Sequence, residues 1–167
     1  MKFPNELELK SFLCECEVEL LQEKHQKQVL YPREHIEKWD SKKILEINKG
    51  LFEKIKNTAN VYAIFTASNP HNNFSLRYIG QSKAKLAKAR LTNHLIKKHK
   101  NTGAKLGEII KHVKTGGIVK VSWINIHPES LRHYIEEELI GKHPEADWNF
   151  HGKNKAWKKK GTTPLKW

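Results

Sequence analysis

The apolar residues in the first third of the chain recur at helical spacing. Residues 5–29 place most of their leucines and phenylalanine on one side of a helix, which predicts an amphipathic helix. The pair Tyr31-Pro32 predicts its end, because a proline disfavours helical backbone in the residue before it. Asp40 is a suitable N-cap for a second helix that runs to about residue 56.

After residue 57 the pattern changes to short, β-prone apolar runs. Two of them, 61–65 and 76–80, flank a turn-rich segment at 68–73, so residues 60–81 predict a β-hairpin. The remaining predicted elements are helices over 83–99 and 104–114, a strand over 118–126, and a helix from about 130 to 140. This order predicts an α+β fold: a small, mainly antiparallel, three-stranded sheet flanked by helices, with an N-terminal helical extension.

The charge divides the chain in the same place. Residues 1–57 carry 11 basic and 11 acidic residues, whereas residues 58–167 carry 20 basic and 7 acidic ones, which accounts for the whole net charge of +13. Such a one-signed field attracts polyanions, so nucleic acid is the favoured partner and an anionic membrane surface the second. We therefore divide the chain into an N-terminal helical extension (1–57), a core (58–152) and a basic tail (153–167).

Several classes of protein are disfavoured. No apolar run approaches the roughly 18 residues that a membrane-spanning helix needs. The first residues lack the apolar centre of a signal peptide. Cys14 and Cys16 are too few for a closed zinc site of cysteines, and on a helix they would point to different faces. These features predict a cytoplasmic globular protein with no membrane partner.

Five short motifs occur in order along the core. They are Asn60-Val61-Tyr62, Tyr78-Ile79-Gly80, Arg90 with His94 one helical turn later, Glu136 on the last predicted helix, and Trp148-Asn149. Over residues 58–152 this series resembles the GIY-YIG nuclease family, and it is most similar to the type II restriction endonucleases of that family. Asn60 replaces the first glycine, and the hairpin between the tyrosines is longer than is usual in the family. We prefer Arg90 to Lys88 as the family's arginine because Arg90 shares a helix face with His94.

The resemblance implies a role for each of these residues. Tyr62 would activate the attacking water and Tyr78 would support it, with His94 or Lys83 helping Tyr62 to lose its proton. Arg90 would hold phosphate oxygens through its two parallel N–H groups. Glu136 would bind Mg²⁺, or another divalent ion such as Mn²⁺, with water completing the shell. Asn149 would hydrogen-bond the carboxylate or a phosphate.

The implied substrate is double-stranded DNA. Its backbone would be contacted by five lysines of the basic part: Lys83, Lys88, Lys97, Lys98 and Lys153. A restriction enzyme of this kind would cut a defined site as a homodimer, beside a separate cognate methyltransferase. We hypothesise that residues 1–57 embrace the core, and a second subunit as well, instead of touching phosphate.

Other interpretations stay open at this point. The tyrosines are also ordinary strand aromatics, and Glu137 and Glu138 compete with Glu136, although on a helix they point about 100° and 200° away. His133 with Glu136 or Glu137 has the helical spacing of a zinc pair, but no third ligand is evident. At the level of function, the alternatives are a repair, recombination, mobile-element or toxin nuclease of the same family, and a basic nucleic-acid-binding protein without catalysis.

Overall fold

The computed structural model describes residues 3–34, 36–97 and 104–150. Within them the chain forms six α-helices and four β-strands. The helices are α1 (Glu6–Leu21), α2 (Ser41–Ile47), α3 (Lys49–Ile55), α4 (Ala84–Leu95), α5 (Leu106–Lys114) and α6 (Arg132–Lys142). The strands are β1 (Lys27–Val29), β2 (Val61–Ala67), β3 (Ser75–Gln81) and β4 (Ile118–Ile124). The predicted α+β class is confirmed.

The strands form one antiparallel sheet in the order β1-β4-β2-β3. The predicted hairpin over 60–81 is present as β2 and β3, and its register places Tyr62 opposite Gly80. On its other side β2 pairs with β4 over its full length, from Val61 opposite Ile124 to Ala67 opposite Ile118. The two inner strands are therefore β4 and β2, and β2 carries the first motif tyrosine.

The prediction of three strands was wrong, because the sheet has a fourth strand from the N-terminal segment. The helix predicted over 5–29 ends at Leu21, where Gln22 adopts extended backbone with φ −60° and ψ 137°. Lys27–Val29 then pairs with Val119–Val121 of β4. Three residues are too short for periodicity to distinguish a strand from a helix. They are extended because β4 offers them an unpaired edge.

The second predicted helix is interrupted. Asp40 caps it as expected, since its side chain accepts hydrogen bonds from the backbone of Lys42 and Lys43. At Asn48 the helix breaks into α2 and α3, and the Asn48 amide accepts from Leu30 N (2.9 Å) and donates to Leu30 O (2.8 Å). The break thus satisfies both backbone groups of the residue that follows β1.

Both faces of the sheet are covered, and all seven residues of β2 are buried. Successive side chains of a strand point to opposite faces. Tyr62 and Ile64 accordingly pack in one core with residues of α3, α4 and α5, while Ala63 and Phe65 pack in a second core with residues of α1 and α6. The N-terminal helices therefore lie on both sides of the sheet. Within the described ranges, no helix is long and apolar enough to cross a membrane.

Candidate functional site

The two motif tyrosines meet on one face of the sheet. Their ring centroids are 6.4 Å apart, and both rings lie against Gly80. A β-carbon at Gly80 would come within 2.7 Å of Tyr78 Cε1 and 2.9 Å of Tyr62 Cε2 and Cζ. The third residue of Tyr78-Ile79-Gly80 is therefore glycine because the tyrosine rings occupy the space of a side chain.

His94 and Arg90 approach this pair from α4. The buried positions Ala87, Leu91 and Leu95 hold this helix against the sheet, which carries His94 into the core beside Tyr62. His94 is fully buried, its Nε2 lies 3.3 Å from Tyr62 Oη, and its ring centroid is 5.0 Å from that of Tyr78. Lys88 instead forms an ion pair with Glu53 of α3.

Arg90 brings a positive charge close to both phenols. Burial has the largest effect on the pKa of Tyr62 and Tyr78 and raises both values, and the charge of Arg90 opposes it. Burial, followed by the charge of Glu136, raises the pKa of Tyr78 to about 12, and burial raises the pKa of Tyr62 further above its usual value. Both phenols are consequently protonated at neutral pH.

His94 is neutral at the same pH. Burial, followed by the nearby charges of Arg90 and Lys105, lowers the pKa of His94 to about 3. Lys105 precedes α5 and is itself buried, and its Nζ lies 5.7 Å from the centre of the Tyr78 ring. Sequence reasoning missed Lys105, which was one of twelve basic residues between Arg77 and Lys120 and carried no distinguishing motif.

Glu136 lies on α6, a helix that packs against β3. It is half-buried, whereas its neighbours Glu137 and Glu138 are exposed. Its charge raises the pKa of both Tyr62 and Tyr78, which places the carboxylate near the two phenols. Of the three adjacent glutamates, Glu136 is thus the one on the side of the tyrosines.

The donor set suits a cation that keeps most of its water. In the described residues no three His, Cys, Asp or Glu side chains cluster as metal ligands. Mg²⁺ is commonly held by one or two carboxylates with water in the other positions, and Glu136 is able to supply one. Glu136 is therefore able to supply one carboxylate to such an ion, and the described residues do not assemble the ligand set of a zinc site. The other member of the suggested zinc pair, His133, has Gln81 Nε2 3.1 Å from its Nδ1 and Arg132 Nη2 2.8 Å from its Nε2.

Asn149 lies behind the site and holds β3 in place. Its amide oxygen accepts from Ile79 N (2.9 Å) and its amide nitrogen donates to Ile79 O (2.7 Å), between Tyr78 and Gly80. These bonds direct the Asn149 amide to the backbone of Ile79 and give Asn149 a positioning role. The resemblance implied a different contact, with the carboxylate or a phosphate.

Asn60 makes an equivalent pair of hydrogen bonds to Ile126, two residues beyond the end of β4. It accepts from Ile126 N (2.8 Å) and donates to Ile126 O (2.8 Å), and the side chain is fully buried. Since a glycine has no side chain, it would leave both Ile126 groups without these partners. The replacement of the motif's first glycine by asparagine therefore has a structural reason in this chain.

The five lysines predicted to contact the DNA backbone differ in their surroundings, and Lys88 is the one paired with Glu53. Lys83 lies exposed at the start of α4, two residues after Gln81, and Lys97 lies exposed after its end. Lys98 and Lys153 lie outside the described residues.

Comparisons with protein-family models, curated proteins and solved structures found no match to this chain.

Proposed function

We propose that this protein is a metal-dependent DNA endonuclease of GIY-YIG type. The observation that carries the proposal is the convergence of Tyr62, Tyr78, Arg90, His94 and Glu136. They come from two strands and two helices, spread over 75 positions of the sequence. The rings of Tyr62, Tyr78 and His94 contact one another, and the charges of Arg90 and Glu136 act on both phenols. Such a polar set is a poor choice for packing alone, because buried polar groups must be paired to be tolerated.

The arrangement suits hydrolysis of a phosphodiester. Arg90 has five N–H donors, so it is able to hydrogen-bond the phenols and still present donors to a phosphate. The charges of Arg90 and Glu136 both act on Tyr62 and Tyr78. A divalent ion held by Glu136 would supply positive charge to the phosphate and to the leaving oxygen. The excess of basic residues beyond position 57 supports a polyanionic substrate.

The test compares wild type with Glu136→Gln on a long duplex DNA of mixed sequence, with Mg²⁺ or EDTA, at low and moderate salt. Wild type is expected to cut only with the metal, and Glu136→Gln is expected to lose at least about 100-fold in rate while it binds DNA as before. Glu137→Gln is the matched control, because the same change is made one residue away on the exposed side of α6, and it is expected to cut at the wild-type rate.

The products distinguish the forms of the proposal. Discrete fragments indicate a site-specific enzyme of the restriction type, for which we further propose a homodimer and a separate cognate methyltransferase. A smear with the same dependence on metal and Glu136 indicates a repair, mobile-element or toxin nuclease. DNA that is shifted but intact under every condition contradicts the endonuclease and favours a basic binding protein. Sedimentation of wild type with and without DNA tests the dimer.

A further inference from the structure

The hydrogen bonds around His94 determine which of its ring nitrogens carries the proton. The backbone N–H of Lys105 points at Nδ1, with a distance of 3.1 Å between Lys105 N and His94 Nδ1. A backbone amide can only donate, so Nδ1 must be the accepting, unprotonated nitrogen. The single proton of the neutral ring is then on Nε2.

This tautomer sets the direction of the contact with Tyr62. Nε2 lies 3.3 Å from Tyr62 Oη, and with a proton on Nε2 the imidazole donates to the phenolic oxygen. The Arg90 guanidinium lies near Tyr62 and has no acceptor atom. Neither His94 in this tautomer nor Arg90 is therefore available to take the Tyr62 proton.

A second protonation of His94 is opposed from every side. A proton on Nδ1 would face the Lys105 N–H directly. The charged and titratable groups that face the ring are Tyr62, Tyr78, Arg90 and Lys105, and the two cations repel an imidazolium. His94 is also fully buried, which disfavours its charged form.

We propose that His94 is a fixed hydrogen-bond donor to Tyr62, held in this tautomer by the backbone of Lys105, and is not the base that deprotonates Tyr62. The consequence for rate rests on the proposed nuclease function, but the direction of the hydrogen bond belongs to the fold. His94 and Arg90 together stabilise negative charge on the Tyr62 oxygen. His94 is a positioning residue in this scheme, and so is Lys105, through its backbone.

The tautomer is measured directly by ¹⁵N NMR of the imidazole nitrogens in full-length protein, with the His94 signals identified by their absence from His94→Gln. The expected result is an unprotonated Nδ1 and a protonated Nε2 that stay unchanged from pH 5 to pH 8. Lys105→Ala keeps the backbone N–H and is expected to show the same tautomer. A protonated Nδ1, or titration with a midpoint near that of a free histidine, would overturn the proposal.

The effect on rate is tested by two variants that separate the two nitrogens. In His94→Gln the amide nitrogen is able to replace Nε2 as the donor to Tyr62. In His94→Asn the shorter amide reaches only the place of Nδ1, so it is able to accept from Lys105 but not to donate to Tyr62. We expect His94→Gln to stay within about 10-fold of the wild-type kcat and His94→Asn to lose about 100-fold or more.

The outcomes separate this proposal from the proposed function. Equal losses of about 100-fold or more in both variants indicate that a titrating imidazole is needed, and would overturn the donor role. If wild type cuts no DNA at all, the proposed nuclease function fails. The NMR result on the wild-type protein still decides whether His94 donates to Tyr62.

Discussion

Gly80→Ala is expected to separate the two tyrosine rings without removing any functional group. The new β-carbon would lie 2.7 Å from Tyr78 Cε1 and 2.9 Å from two atoms of the Tyr62 ring, closer than real β-carbons approach other atoms. To reach an ordinary contact of 3.4 Å, the rings must move by about 0.5–0.7 Å. Tyr62 is buried in the core, so this shift has to be absorbed by tightly packed neighbours.

Two magnitudes follow from this shift. Overpacking a core costs about 1–3 kcal/mol, and the loss of glycine's flexibility in the unfolded chain offsets about 0.4–1 kcal/mol of it. At the middle of both ranges the net loss is about 1.3 kcal/mol, which lowers the Tm by roughly 3–5 °C in a chain of this size. Since a displacement of 1 Å in a catalytic group costs on the order of 100-fold in rate, we expect cleavage to fall by about 10- to 100-fold.

The assay is thermal unfolding together with cleavage of duplex DNA, measured well below the Tm of each variant. Gly141→Ala is the control: this glycine lies in the last turn of α6, and a β-carbon there would meet nothing within 4 Å. A helical alanine in its place is expected to stabilise by about 0.5–1 kcal/mol and to leave cleavage at the wild-type rate. Wild-type stability and activity in Gly80→Ala would refute the packing of the tyrosines over Gly80.

Three further predictions concern the groups that hold the site together. Asn60→Gly restores the glycine of the family's motif, yet we expect it to lose about 1–3 kcal/mol in urea unfolding because two buried bonds to Ile126 disappear; unchanged stability would contradict this. Asn149→Ala and Asn48→Ala each release both backbone groups of one residue, so both are expected to destabilise by about 1–3 kcal/mol. Only Asn149→Ala is expected to slow cleavage, because Ile79 lies between Tyr78 and Gly80, and equal slowing in both would argue against a specific positioning role. Finally, burial lowers the pKa of His94 to about 3, against about 6.5 in the unfolded chain. The contribution of the neutral His94 to the free energy of unfolding is therefore fully present above about pH 6.5. It falls as the pH drops below about 6.5, by up to about 1.4 kcal/mol per pH unit. The difference in unfolding free energy between wild type and His94→Gln, followed from pH 7 to pH 5, should show this slope; a constant difference would show that His94 is not held neutral.

The α+β class, the hairpin and the positions of α4, α5, β4 and α6 follow from the sequence, because each depends on local periodicity and turn residues. Asp40 was identified as a cap for the same reason, since its bonds reach only two and three residues along the chain. The candidate residues Tyr62, Tyr78, Arg90, His94 and Glu136 were also chosen from the sequence, through spacing and resemblance.

Only the tertiary structure shows the contacts between distant segments. β1 is extended because β4, some 90 residues later, offers it an edge, and Asn48 breaks a helix to bond the backbone that follows β1. Lys105 holds the buried nitrogen of His94 through a backbone N–H that no side-chain pattern records. Local signals determined which chemical groups are available, whereas packing decided how they pair, because burial removes water and makes each polar group depend on whatever partner the fold brings to it.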